Sequence, residues 1–416
     1  MLCHPYHRGG VTRWMIDAAE EWRRRGSAVW FVTPWPRRPF TGGAGRPPMM
    51  ELLNAAPPEL RPTVVAPVVG WQFELGTSAY RRHVYAKAVL KGVPAGVPVI
   101  VSDDPAVWAA GALCARRNPL IGVLHADDRA YYELASSNFL RSSALVAVSR
   151  RIAQRVSREL PVDSRAQVAT IPCGIPMTGA AARQPQTPGP LRLISVGRLD
   201  DYQKRSLDLI RVAISLRQRG VAYTFDIVGD GPERQRLATM IDGGGLQQSV
   251  RLLGWLSQEK VARALDGSDV LLMTSNFEGM PVAVMEALRA GCAVVSSRVS
   301  GVEDLENDAL AKECLRIFPV GDIEAATSLV LDVARLHVPS RVEAARDLAR
   351  REFSIASCID RYDVLLDRIT PSSAMSGSRT QPAWLETSLS LPLAGMRATK
   401  LRLARVLGVE RRTNAS

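Results

Sequence analysis

No apolar run in this 416-residue chain approaches the roughly 18 to 20 residues that span a bilayer, so no membrane-spanning helix is expected. The opening ten residues, Met1 to Gly10, also lack the apolar core of a signal peptide, which points to the cytoplasm. Cysteine is sparse. The six cysteines, Cys3, Cys114, Cys173, Cys292, Cys314 and Cys358, contain no C-x-x-C pair and have no histidine at zinc-like spacing. Structural disulfides and a bound metal are therefore not expected. His4 and His7 beside Cys3 form the single tight cluster, and they read as a strand end running into a loop. Arginines interleaved with reading helices or aromatic stacking platforms are lacking too, which argues against a nucleic-acid partner.

What is present is an ordinary globular composition, 46% apolar and 23% charged, long enough for two domains. The net charge of +12 is unevenly spread. Residues 1–175 carry 22 Lys and Arg against 13 Asp and Glu, residues 176–370 carry 24 against 26, and residues 371–416 carry 7 against 2. Basicity thus belongs to the first half and the tail, the pattern of a domain drawn to an anionic membrane surface.

Short apolar runs alternate with amphipathic stretches, as a doubly wound parallel sheet requires. In the first half strands are expected at 28–34, 63–69, 98–103, 120–125, 144–149 and 168–172, with helices at 11–25, 75–90, 104–116 and 150–159. Leu2 and Cys3 are all that remains of a first strand, short for a central position. Residues 35–62 are rich in Pro and Gly and long for a connection. The segment 176–190 has the composition of an exposed linker. The second half, 191–370, restarts the alternation with strands at 191–197, 224–229, 250–254, 270–275, 293–297 and 315–319, a helix at 322–335 and closing helices over 341–369 that are expected to pack back toward the first domain. Residues 371–416 read as a basic, disordered tail.

Polar or glycine-rich clusters follow four strands of the second half: Ser195-Val196-Gly197-Arg198-Leu199 with Lys204, Val228-Gly229-Asp230-Gly231-Pro232, Gly254-Trp255, and the stretch from Phe277 to Gly291. In the last, Pro281 suits a first helical turn and Gly291 a helix stop, so the helix start offers free N–H groups to a phosphate. Glu286 lies within the apolar run 282–288, where an unpaired carboxylate is costly; that mismatch favours a ligand role.

This set, in this order, resembles the retaining glycosyltransferases of family 4, which have the GT-B architecture of two facing Rossmann-like domains. Its most specific part is Glu278-Gly279-Met280-Pro281 followed by Glu286, together with Gly197-Arg198-Leu199, Lys204 and the V-G-D-G-P run. The resemblance covers roughly residues 1–370 and implies transfer of a hexose from a UDP- or GDP-sugar to a glycan or lipid-linked acceptor, with no cofactor beyond the donor substrate. It implies that Arg198 and Lys204 neutralise the leaving diphosphate, that Gly279, Met280 and Val282 lend amides to it, and that Glu286 holds the ribose. Glu278 would hold the transferred sugar near its reacting carbon, and His125 would contact that sugar from the acceptor-binding domain. Gly9 and Gly10 match the loop that closes over the diphosphate, and Gly197 and Asp230 belong to matching loops. Trp255 is a candidate to flank the base, with core packing the equal alternative. Ser149 and the run Ile171-Pro172-Cys173-Gly174 frame the cleft. Arg205 stands where glycine commonly follows the lysine, Cys173 where asparagine is common, and Ser300 to Asp304 where G-G-x-P-E is usual. No D-x-D metal motif has the required context. The rivals are a catalytically silent nucleotide-sugar-binding protein and another GT-B enzyme such as a sugar epimerase.

Overall fold

The computed structural model describes residues 1–2, 10–36, 53–54, 56–69, 73, 77–161, 167–178, 189–335 and 338–370. Cys3, His4, His7 and Gly9, most of the Pro/Gly-rich segment, the core of the expected linker and the basic tail lie outside the described residues.

The C-terminal half holds six parallel strands: β9 (Leu191–Val196), β10 (Tyr223–Val228), β11 (Val250–Gly254), β12 (Val270–Met273), β13 (Ala293–Ser297) and β14 (Leu315–Phe318). Their order is β11-β10-β9-β12-β13-β14. Successive residues of a strand face opposite ways, so Leu193, Leu272 and Val295 fill one core while Ile194, Leu271 and Val294 fill the other. Helices cover both faces, which is why β12 and β13 read as uninterrupted apolar runs. The chain leaves β9 toward β10 on one side and reaches β12 on the other. Between the carboxyl ends of β9 and β12 the connections diverge and open a crevice, where such sheets bind ligands.

The N-terminal half carries a parallel sheet of β5 (Val99–Val101), β6 (Leu120–Leu124), β7 (Ala144–Ala147) and β8 (Gln167–Thr170), and a parallel pair of β1 (Trp30–Val32) with β3 (Thr63–Val65). The expected strand over 63–69 breaks at Ala66-Pro67, because a proline has no N–H to give a ladder, and its remainder, β4 (Val68–Val69), pairs in parallel with β2 (Trp35–Pro36). The abbreviated first strand joins the two sheets. Leu2 bridges Val32 in parallel and donates its N–H to the Ile100 carbonyl at 3.0 Å, while Val32 N–H donates to the Met1 carbonyl at 2.9 Å.

The closing stretch is two helices, Val338–Phe353 and Ile355–Ile369, broken at Ser354, whose hydroxyl caps the second by accepting from Ser357 N–H at 3.1 Å. The final helix lies on the first helix, Gly10–Arg24. Trp22 Nε1 donates to Asp363 at 2.8 Å, Arg25 pairs with Asp360 at 2.7 Å, and the Trp14 and Tyr362 rings sit 5.8 Å apart. Ile175 is clasped between these two helices, donating to the Phe353 carbonyl and accepting from Ile355 N–H, both at 2.8 Å.

Candidate active site

Glycines press the loops after β9 and β10 together. Gly229 has φ +133°, and a Cβ there would meet the Gly197 carbonyl oxygen at 1.8 Å; one at Gly231 would meet the Leu199 carbonyl at 2.3 Å. Leu199 N–H donates to the Asp230 carbonyl at 3.0 Å, and the Asp230 carboxylate accepts from Gly231 N–H at 2.8 Å. Asp230 thus shapes its own loop. The effect is to hold Arg198 at the crevice, exposed and without a carboxylate partner among the described residues.

Lys204 lies opposite, on the turn before the helix Ser206–Gln218, and its Nζ is 2.6 Å from Glu278 Oε1. Arg205 beside it adopts φ +45°, the left-handed region that favours glycine. Thr274 Oγ1 donates to the Lys204 carbonyl at 3.0 Å and lies within 3.1 Å of the Arg205 carbonyl, tying this turn to the end of β12. Glu278 is buried, 5% exposed, and its carboxylate also accepts from Ser275 Oγ at 2.6 Å. A buried carboxylate needs such partners to remain charged.

Met280 is buried, and the helix Val282–Ala290 begins just beyond Pro281. The proline takes the cap position instead of the first helical turn, which leaves the amides from Val282 onward at the helix start. Gly291, at φ +80°, stops the helix. About one turn in, Glu286 is part-buried, and burial raises its carboxyl above the ordinary value while Arg289 and Arg13 oppose the rise. Asp17, on the first helix, is 3% exposed and pairs with Arg13 at 2.6 Å; burial still pushes its carboxyl up to about 6.

The two halves meet on this stretch. Ala126 and Gly279 form an antiparallel bridge, and Asp127 N–H donates to the Glu278 carbonyl at 3.0 Å. A Cβ on Gly279 would stand 1.8 Å from the His125 carbonyl oxygen, so only glycine admits this approach. A Cβ on Gly10 would meet Val282 Cγ2 at 2.9 Å. Ser149 and Ser300 hydroxyls share a buried hydrogen bond of 2.5 Å, Arg150 N–H donates to Asp304 at 2.8 Å, and Arg151 pairs with Glu303. His125 is 9% exposed; burial pushes its imidazole down to about 4, so the ring is neutral at pH 7.

Sequence reasoning did not single out Asp103, Tyr131, Arg13 or Asp17. Asp103, two residues past the carboxyl end of β5, has φ +56° and accepts from Ser102 Oγ at 2.7 Å and from Tyr131 Oη. Strained non-glycine backbone at a strand's carboxyl end is a mark of functional sites, but it has no signal in the sequence. Trp255 is 74% exposed, which excludes core packing.

Residues 8–178 match the family model described as Glycosyltransferase Family 4, and residues 190–335 match the model described as glycosyl transferases group 1. The chain belongs to the GT-B glycosyltransferases. Within that group it is 33% identical over 189 residues to the amylovoran biosynthesis glycosyltransferase AmsK of Erwinia amylovora, a match covering 43% of this chain and 45% of that one. The chain therefore spans under half the length of that relative. It is 26% identical over 310 residues to the 2-deoxystreptamine N-acetyl-D-glucosaminyltransferase of Streptomyces fradiae, covering 66% and 73%. The GT-B fold itself recurs in Anabaena HepE in complex with UDP, with TM-score 0.65 and 17% identity over 88% of this chain and 98% of that one. Among the described residues, no helix is long and apolar enough to cross a membrane.

Proposed function

We propose that this protein is a retaining hexosyltransferase that moves a sugar from a nucleotide diphosphate sugar, with UDP or GDP as the nucleotide, to a glycan or lipid-linked acceptor in cell-surface polysaccharide assembly. The observation that carries this reading is the Glu278 carboxylate, buried against Lys204 at the seam where Gly279 touches the backbone of His125. On this reading one anion, one cation, a neutral imidazole and a helix N-terminus serve the same bound donor. The polysaccharide assignment draws support from AmsK, named for amylovoran biosynthesis.

The roles follow from charge. Arg198, Lys204 and the amides at the start of the helix Val282–Ala290 neutralise the diphosphate as it leaves. Glu286, its carboxyl raised by burial, gains partners when ribose hydroxyls donate to it. Glu278 faces the positive charge that develops at the sugar's reacting carbon, and Trp255 offers its exposed ring to the base. The bond from the anomeric carbon to the diphosphate breaks, the bond to the acceptor oxygen forms on the same face, and the acceptor's proton leaves on the diphosphate. No cofactor beyond the donor is required in this scheme. The basic first half suits an acceptor presented at an anionic membrane surface.

A nucleotide-release assay across UDP-, GDP- and ADP-sugars with oligosaccharide and lipid-linked acceptors tests the reading, and NMR of the product's anomeric signal tests retention. Donor binding without turnover on any acceptor would favour a silent binding protein. Failure to bind anionic vesicles at low salt would remove the membrane element alone.

A further inference from the structure

We propose that Cys173 is a positioning residue that holds the His125 ring in the tautomer with its proton on Nε2, aimed as a donor at an oxygen of the bound sugar. This rests on the proposed function for the identity of the ligand, but not for the tautomer.

Cys173 Sγ lies 3.5 Å from His125 Nδ1, within the range of a sulfur hydrogen bond. On another side of the imidazole, the Trp14 ring packs edge-on, with centroids 4.9 Å apart and planes at 62°. The backbone behind the thiol is locked: a Cβ on Gly174 would meet Cys358 Cβ and Ile355 Cα at 2.7 Å, so the chain cannot shift toward the last helix. His125 Nε2 is buried and has no hydrogen-bond partner among the described residues.

Counting donors and acceptors selects the tautomer. Burial raises the Cys173 thiol well above its ordinary value, so the sulfur keeps its proton, and the imidazole is neutral. With S–H donating to Nδ1, the thiol proton and one ring nitrogen are both satisfied, and the remaining group is Nε2–H. With the proton on Nδ1 instead, the thiol hydrogen and the Nε2 lone pair would both be left over. Buried polar groups left without partners are costly, so the first arrangement prevails. The leftover Nε2–H is then the group a ligand oxygen satisfies.

The chain has five histidines, which makes a spectrum of the ¹⁵N-histidine-labelled full chain readable, with the His125 signal identified by its loss in His125→Gln. The expected wild-type result is a protonated Nε2 and a bare, hydrogen-bonded Nδ1. In Cys173→Ala the bond that fixes Nδ1 as an acceptor is lost and the ring is expected to exchange between its two neutral forms, with kcat falling about five- to tenfold, the rate equivalent of one neutral hydrogen bond, and donor KM holding within about twofold. Cys173→Ser and Cys173→Asn keep a donor at this position and are expected to restore both tautomer and rate. A wild-type ring protonated on Nδ1 overturns the proposal, and this measurement needs no variant to fold. Unchanged tautomer and rate in Cys173→Ala also overturn it. A wild-type protein with no transferase activity but a tautomer that depends on Cys173 supports the positioning role and overturns the functional reading alone.

Discussion

Lys204 Nζ and Glu278 Oε1 stand 2.6 Å apart, joining the turn after β9 to the loop after β12 with a carboxylate that is almost fully enclosed. The pair makes each residue's charge the condition for the other's burial. Removing Lys204 alone leaves a buried anion, and removing both charges does not. Lys204→Met is therefore expected to lower stability by about 2 kcal/mol, less than a fully buried pair would because the lysine is a quarter exposed. The double variant Lys204→Met with Glu278→Gln is expected to recover most of that in denaturant melts. Glu278→Gln alone is expected to cut transfer by roughly 10²-fold while donor binding persists. Equal stability of the single and double lysine variants would refute the coupling.

The contact between the halves predicts a contrast between two glycines. At Gly279 an added methyl meets a backbone carbonyl, whereas at Gly10 it meets the tip of a valine. Gly279→Ala is expected to abolish measurable turnover, and Gly10→Ala to lower kcat/KM by about tenfold or less. Steady-state kinetics on both variants checks the order, and a reversed order would place the closing contact elsewhere.

Asp17 and His125 predict opposing pH effects. The Asp17 carboxyl rises from 3.8 to about 6 on folding, so its penalty is absent below pH 3.8 and complete above about 6; stability falls as pH rises through that window. The His125 imidazole falls from 6.5 to about 4, so its penalty is absent above 6.5 and complete below about 4; stability falls as pH drops. Each is on the order of 3 kcal/mol, so the two nearly cancel. Relative to wild type, Asp17→Asn is expected to gain stability toward pH 7, and His125→Asn to gain it toward pH 4. Melting temperatures at pH 4, 5, 6 and 7 read the two slopes, and parallel curves for all three proteins would contradict both assignments.

Arg205 predicts a stability test of local strain. Its φ of +45° costs a non-glycine residue about 1 kcal/mol, but its guanidinium pairs with buried Asp208 at 2.6 Å, a carboxylate that Arg211 also reaches. Arg205→Gly is expected to leave stability within about 1 kcal/mol of wild type, while Arg205→Val, β-branched and uncharged, is expected to lose about 2 kcal/mol or more. Urea titrations compare them, and equal losses in both variants would show that the ion pair outweighs the backbone.

Trp255 predicts binding without stability. Being 74% exposed, it contributes little to the core, so Trp255→Ala is expected to change stability by under about 0.5 kcal/mol and to raise donor KM severalfold. Unchanged KM would remove it from the base site.

The sequence by itself determined the parallel α/β alternation, the helix stop at Gly291 and the candidate charges Arg198, Lys204, Glu278 and Glu286. Those signals are local: strand and helix periods, a turn glycine, and the mismatch of a carboxylate in an apolar run each lie within a few residues. Tertiary structure alone decided that Lys204 lies against Glu278, that Met1 and Leu2 join two sheets, that Trp255 faces solvent, and that Cys173 touches His125. Cys173 and His125 lie 48 residues apart and Lys204 and Glu278 lie 74 apart, and no spacing rule links them. The same holds for backbone angles. Arg205 in place of glycine was visible in the sequence, but its left-handed φ was not, nor was the grip of Thr274, at the end of β12, on the carbonyls of that turn. Gly279 shows the division most plainly: its identity is written in the chain, while the reason for it, a carbonyl oxygen 154 positions earlier at His125, exists only once the two halves have met.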